Sequence, residues 1–316
     1  MAFTSATYNL MGTTVTLKIT HPNANNLLDS AHNILIDLVQ RFNANDKQSD
    51  LMKINRLAGI EPVKVDKDLF YLIKIGKMYS IASLLNLNIA IGPLVKLWRI
   101  GFEDARRPSD QEINQVLKLI DPQDIILDEE KQTVFLRKPG MEIDLGALAK
   151  GYFSDILKDF FVENGVDHGI IDLGGNVQTI GDAFTHKDRY WRVGIQRLNK
   201  NRGDILGAVK VIDESVVTSG IYERSIQVHD QTYHHILDSR TGYPMNTEIG
   251  SISIISKKSL DCEVWATIFF HNTCKEAIGH INNTPGIEGI VVDIHENVYL
   301  SAGLHHQYIP ANASNI

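Results

Sequence analysis

From residue 168 to 256 the chain is a near-continuous series of short β-patterned runs that follows a helix-patterned first half, and no other feature limits its fold as strongly. The runs read as strands at 168–173, 176–181, 190–196, 206–213, 215–218, 224–228, 232–237 and 250–256. They are short and rich in Val, Ile and Thr, and Gly174-Gly175 separates the first two. Upstream, residues 25–43 carry Leu27, Leu28, Ala31, Ile34, Leu35 and Leu38 as a helical stripe. Segments 48–58 and 67–85 also read as helices, and Gly92-Pro93 opens a short one through Trp98. Ser109-Asp110 starts a helix that ends near Ile120, 123–136 reads as a hairpin, and 144–161 as a Gly-containing start running into a helix. Residues 7–20 alternate and read as a strand. Helices near 260–271 and 274–283, then strands at 288–293 and 297–301, close the chain. Helices early and strands late predict α+β rather than a doubly wound sheet.

With 316 residues the chain can bury a sizeable core as one domain or as two interleaved lobes. No linker, repeat or low-complexity block divides it. A net charge of -7 without a long basic run argues against nucleic acid, which needs clustered Lys and Arg. Cys262 and Cys274 are too few for a disulfide framework and lie in no zinc-type cluster, so reduced, buried thiols are expected. The first residues lack a charged segment followed by an apolar one, and no apolar run approaches the roughly 20 residues that span a bilayer. These readings predict a cytoplasmic protein without membrane insertion.

Four segments hold residue types suited to chemistry. In Glu142-Ile-Asp-Leu-Gly-Ala-Leu-Ala-Lys-Gly151 an acidic turn leads into a helix start with a lysine. Free N–H groups and positive partial charge there suit an anion, though a capped helix with a solvated lysine has the same pattern. Ile170-Ile-Asp-Leu-Gly-Gly-Asn-Val177 is a tight hairpin whose bare backbone could also lie against a ring or a phosphate. Tyr233-His-His-Ile-Leu-Asp-Ser-Arg-Thr-Gly-Tyr-Pro244 packs His235, Asp238 and Arg240 at a strand end, as an acid–base pair, a phosphate clamp or a structural turn. In Asp261-Cys-Glu-Val-Trp-Ala-Thr267, Glu263 and Thr267 stand at i and i+4 on one helical face. Such a pair makes a partial magnesium site or a surface Glu beside a back-bonded Thr. Neither GxxxxGK[ST] nor GxGxxG occurs, which argues against P-loop and Rossmann proteins.

Taken in order, these segments resemble the FAD:protein FMN transferases of the ApbE type. Met11-Gly-Thr-Thr, Ser49-Asp-Leu-Met-Lys-Ile-Asn55, Ile91-Gly-Pro-Leu-Val-Lys-Leu-Trp98 and Val217-Thr-Ser-Gly-Ile-Tyr222 add to the likeness, which runs from about residue 7 to 301. The resemblance implies an α+β, tunnelling-fold-like domain covering 1–316, with a flavin cleft between lobes. It implies magnesium-dependent transfer of FMN from FAD to a Thr or Ser hydroxyl of an acceptor protein, with release of AMP. An FAD hydrolase or a non-catalytic FAD binder is the alternative on the same fold. Carried over residue by residue, His235 is the base. Met11, Asn86, Leu87, Asn88, Asp144, Lys150 and Leu237 contact FAD. The Ala147 carbonyl, Glu263 and Thr267 hold magnesium. Glu263 stands where the family usually has Asp, Asn88 where it has Asp, Ala90 where it has Thr, and Asn45 where an aromatic is common.

Overall fold

The computed structural model describes residues 2–84, 86–198, 203–228 and 231–311. In chain order the strands are β1 Thr4–Leu10, β2 Thr13–Ile19, β3 Val63–Lys64, β4 Ile125–Asp128, β5 Thr133–Leu136, β6 Gly169–Leu173, β7 Asn176–Ile180 and β8 Trp191–Gln196. They continue with β9 Ile205–Val211, β10 Ser215–Gly220, β11 Ser225–Val228, β12 Gln231–His234, β13 Ile249–Ser256, β14 Ile287–Asp293, β15 Val298–Leu300 and β16 Tyr308–Pro310. The helices are α1 Ala24–Phe42, α2 Asp50–Arg56, α3 Lys67–Ala82, α4 Gly92–Trp98, α5 Asp110–Val116, α6 Ala149–Glu163, α7 Ser259–Phe269 and α8 Cys274–Asn282.

The chain divides into two compact units. One holds residues 1–37, 150–220 and 247–316; the other holds 38–149 and 221–246. The first is built on an eight-stranded sheet in the order β1-β2-β6-β7-β10-β13-β14-β15, with antiparallel neighbours throughout. A smaller sheet, β16-β9-β8, belongs to the same unit. Val15, Leu17 and Ile19 on β2, Ile171 and Leu173 on β6, and Ile252 and Ile254 on β13 point into its core with no exposed surface. They sit two residues apart, as the strand pleat requires. Every residue of β13 is buried, including Ser251 and Ser253, because α7 packs on β10 and β13. The Ser253 hydroxyl is satisfied by Thr218 Oγ1 at 2.7 Å on the neighbouring strand.

The 7–20 segment is two strands, not one. Leu10 pairs with Thr13, and Met11 and Gly12 make the turn with φ of 55° and 68°. Positive φ at both central positions is the primed-turn pattern that matches strand twist. Asn-Gly usually signals it; Met-Gly does not, so the alternating Thr and Val residues read straight through.

The second unit contains α2 to α5, the small sheet β3-β5-β4, and the hairpin β11-β12. Leu94, Trp98, Ile100, Ile113, Ile120 and Leu237 form a buried cluster there. The Trp98 indole donates to the Gly242 carbonyl at 2.9 Å, so the burial of its polar edge leaves no donor unpaired. Gly242 has a φ of +78°, and a Cβ there would lie 2.4 Å from Ile113. Among the described residues no helix is long and apolar enough to cross a membrane.

Candidate active site

In the first unit the chemistry gathers where two hairpin tips and two helix segments meet. Because β2 pairs with β6 through Val15 and Leu173, the Met11-Gly12 turn and the Gly174-Gly175 turn lie at one end of the sheet. The approach is close: a Cβ on Gly174 would stand 2.3 Å from the Thr13 hydroxyl. Gly174 and Gly175 have φ of +70° and +95°, and the Asp172 carboxylate accepts the Gly175 N–H at 2.7 Å to close the turn. The next residue, Asn176, is fully buried at the head of β7.

Asn176 donates to Glu263 Oε1 at 2.9 Å and accepts from the Ser259 hydroxyl at 2.8 Å. Glu263 lies on α7 and is 4% exposed. Burial pushes its pKa up, opposed by the Lys150 charge, the Asn176 amide and the Gly151 N–H. Lys150 Nζ stands 3.9 Å from Oε1, too far for a strong ion pair. The first turn of α6 can approach α7 because residue 151 is glycine: a Cβ would meet the Ser259 carbonyl at 2.6 Å and Glu263 Cγ at 2.7 Å. The same helix supplies Asp155, whose two oxygens accept the N–H groups of Ser259 and Leu260 at 2.7 and 3.0 Å. Asp155 thereby caps α7, whose own preceding residue Lys258 makes no side-chain cap. Burial lifts its carboxyl to about 6.

Thr267 donates to the backbone carbonyl of Glu263 at 2.9 Å. That back-bond uses the hydroxyl proton and leaves the oxygen lone pairs on the helix face that carries Glu263. A buried carboxylate and a hydroxyl are hard oxygen donors, of the kind magnesium takes in small number while keeping water and substrate oxygens. A cation beside Glu263 would also offset the cost of burying its charge. The residues therefore fit a magnesium ion that draws further ligands from its substrate. Among the described residues no group of three or more His, Cys, Asp or Glu side chains could hold a metal alone.

In the second unit the tandem histidines divide sharply. His234 Nε2 lies 2.9 Å from the Met245 carbonyl, and its Nδ1 accepts the Ile236 N–H at 3.3 Å, so both ring nitrogens are occupied. Burial lowers its pKa. His235 Nδ1 lies 3.2 Å from the Arg224 carbonyl, which also accepts the His235 backbone N–H. A carbonyl can only accept, so Nδ1 carries the proton and Nε2 is the basic nitrogen. Asp238 accepts from the Arg240 backbone N–H at 2.8 Å and from its guanidinium at 3.0 Å, which shapes the turn through Gly242. Leu237 is 9% exposed and bridges to Pro244 across that turn.

Asp144 sits in the turn before α6, its backbone N–H on the Ile89 carbonyl and its carboxylate accepting the Gly146 N–H at 2.7 Å. Its packed surroundings raise its pKa, against the pull of the Gly146 N–H and the charges of Lys96 and Arg224. Ala147 is exposed in the same turn. Asn55 braces that turn from α2 by donating to the Ile143 carbonyl at 3.0 Å and accepting its N–H at 2.8 Å. The Asn88 amide donates to the Ile120 carbonyl at 2.8 Å and accepts the Ala90 N–H at 2.9 Å, so its side chain is engaged within the chain. Leu87 beside it is 1% exposed, and Asn86 is half-buried. Three residues that matter here escaped sequence reading: Asp155 and Ser259, because their partners lie about 100 positions away, and Arg224, because it acts through its carbonyl.

Residues 11–291 match the model of the ApbE family. A protein of Klebsiella pneumoniae called FAD:protein FMN transferase is 36% identical over 305 residues, covering 96% of this chain and 93% of the relative. One of Treponema pallidum with the same name is 32% identical, covering 83% of this chain and 76% of its own length. The crystal structure of the ApbE protein from Thermotoga maritima superposes with a TM-score of 0.87 at 25% identity, over 96% of this chain and 98% of that one.

Proposed function

The chain belongs to the ApbE family and is a transferase, and from that premise we propose that it moves FMN from FAD onto a Thr or Ser hydroxyl of an acceptor protein. The observation that carries this reading is the 3.2 Å contact of His235 Nδ1 with the Arg224 carbonyl, which assigns the ring proton to Nδ1. Its Nε2 can take the proton of the acceptor hydroxyl as that oxygen bonds to the phosphorus of the FMN half. The bond from this phosphorus to the bridging oxygen breaks, and AMP leaves with that oxygen. A general base in this role is worth roughly 10²–10⁴-fold in rate.

Glu263 and Thr267 are the proposed magnesium donors on α7, with the Ala147 carbonyl a further proposed donor. A magnesium ion, when bound, offsets the charge that builds on diphosphate oxygens during such a displacement. Lys150 would hold a diphosphate oxygen, which its partial exposure permits. Met11, Asp144 and Leu237 are proposed contacts of FAD, and the 86–88 loop a proposed neighbour of its adenosine half. The cytoplasm is the proposed compartment, since both cysteines are buried and unpaired, as reducing conditions allow.

The test is incubation with FAD, magnesium and a candidate acceptor carrying an exposed Ser or Thr. The reading expects flavin fluorescence that stays with the acceptor through denaturation, and AMP in equal amount. AMP with free FMN would make the chain a hydrolase, and intact FAD would make it a binder.

A further inference from the structure

Glu263 is held by a buried chain of hydrogen bonds that the proposed chemistry does not explain. Asp155 accepts the Ser259 N–H at 2.7 Å, the Ser259 hydroxyl donates to Asn176 Oδ1 at 2.8 Å, and Asn176 Nδ2 donates to Glu263 Oε1 at 2.9 Å. Ser259 and Asn176 have no exposed surface. We propose that Asn176 is a positioning residue for the cation site: its amide, fixed from behind by Ser259 and Asp155, sets the orientation of the Glu263 carboxylate and so its affinity for a divalent ion. This rests on the reading of Glu263 as a magnesium donor.

The physical reason lies in the length of the glutamate side chain. Three rotatable bonds leave a glutamate carboxylate mobile, and ordering it upon metal binding costs free energy. An amide donor on one oxygen removes that freedom before the ion arrives, and outer partners of this kind are worth about 10–100-fold in metal affinity. The amide cannot be swapped end for end. An ionised Glu263 carboxylate can only accept, so the amide must turn Nδ2 toward it, and the Ser259 hydroxyl, which can donate, then serves Oδ1. The Gly-Gly turn just before Asn176 places it at the head of β7, where Val217 of β10 pairs with it and fixes its backbone.

The experiment is calorimetric titration of the whole chain, free of FAD, with manganese(II) as the probe. Asn176→Ala is expected to raise the manganese Kd about tenfold. Glu263→Gln should raise it at least as much, and the double variant no further than Glu263→Gln alone, since the amide acts only through that carboxylate. The same factor should appear in the magnesium concentration for half-maximal FMN transfer. An unchanged Kd for Asn176→Ala, or a double variant equal to the product of the two singles, overturns the proposal. Because Asn176 is fully buried, Ser259→Ala provides a second arm; it frees the far end of the amide and should weaken manganese binding in the same direction, and no change there overturns the proposal too. Absence of manganese binding by the unaltered chain would remove the metal role of Glu263 and this proposal together. Normal manganese binding without FMN transfer would overturn the functional reading alone.

Discussion

His234 and His235 are adjacent and chemically identical, yet their ring nitrogens have different partners. His234 donates to Met245 and accepts from Ile236, so it fastens the 234–245 turn. His235 keeps a basic Nε2 because Arg224 takes its other nitrogen. His235→Ala is therefore expected to slow FMN transfer by roughly 10²–10⁴-fold with FAD affinity preserved. His234→Ala should instead cost about 1–3 kcal/mol of stability by leaving the Met245 carbonyl and Ile236 N–H unpaired. Single-turnover transfer and urea melts of both variants separate the two roles; a normal transfer rate for His235→Ala would remove it as the base. The motif around Tyr233 pointed to this place in the sequence. Which carbonyl each ring meets was not legible, because the two carbonyls lie 11 residues away in opposite directions. For Asn88 the same limit applies: its type suggested a ligand contact, while its bonds run to Ile120 and Ala90.

At the level of elements, periodicity located nearly every helix and the strands from β6 to β13, because half-buried strands and amphipathic helices write their burial into the spacing of apolar residues. It failed at Met11, where a turn is made by a residue that rarely adopts left-handed backbone, and at β3 and β16, which are too short to show a period. A bulky residue held at φ 55° stores strain, and such strain is most often kept where function needs the side chain. Met11→Asn should relieve it, since Asn tolerates that region, and raise stability by about 0.5–1 kcal/mol. If Met11 touches flavin, the same change weakens FAD binding. A stabilised variant with unchanged FAD affinity would place Met11 outside the binding site, and a destabilised one would refute the strain argument.

For the whole molecule, the α+β class was legible in the order of helices and strands; two interleaved lobes stood there only as an alternative to a single domain, and the places where the chain crosses between units were not legible. The chain passes between units after residues 37, 149, 220 and 246. Two of these points fall inside α1 and α6, so no loop-like composition marks them. The architecture also sets how stability depends on pH. Burial raises the carboxyl pKa of Asp144, Asp155, Glu214, Asp261 and Glu263. A carboxyl whose folded pKa lies above its unfolded value binds more protons when folded, so stability falls as pH rises between the two values and is fully lost above the higher one. For Asp155 that window runs from the ordinary 3.8 to about 6. Its contribution is of the order of 3 kcal/mol. The lowered carboxyls, Glu112 at about 2 among them, act oppositely and at lower pH, but they are mostly exposed and weak. The melting temperature of the ligand-free chain should therefore fall as pH rises from about 4 to 6. A formal charge of -7 at neutral pH adds self-repulsion of the same sign, so the slope alone does not identify its source. Asp155→Asn separates them: it removes one titration and keeps an acceptor for the first turn of α7. Its melting curve should fall less steeply across that window, and a slope equal to that of the unaltered chain would show that the α7 cap does not titrate there.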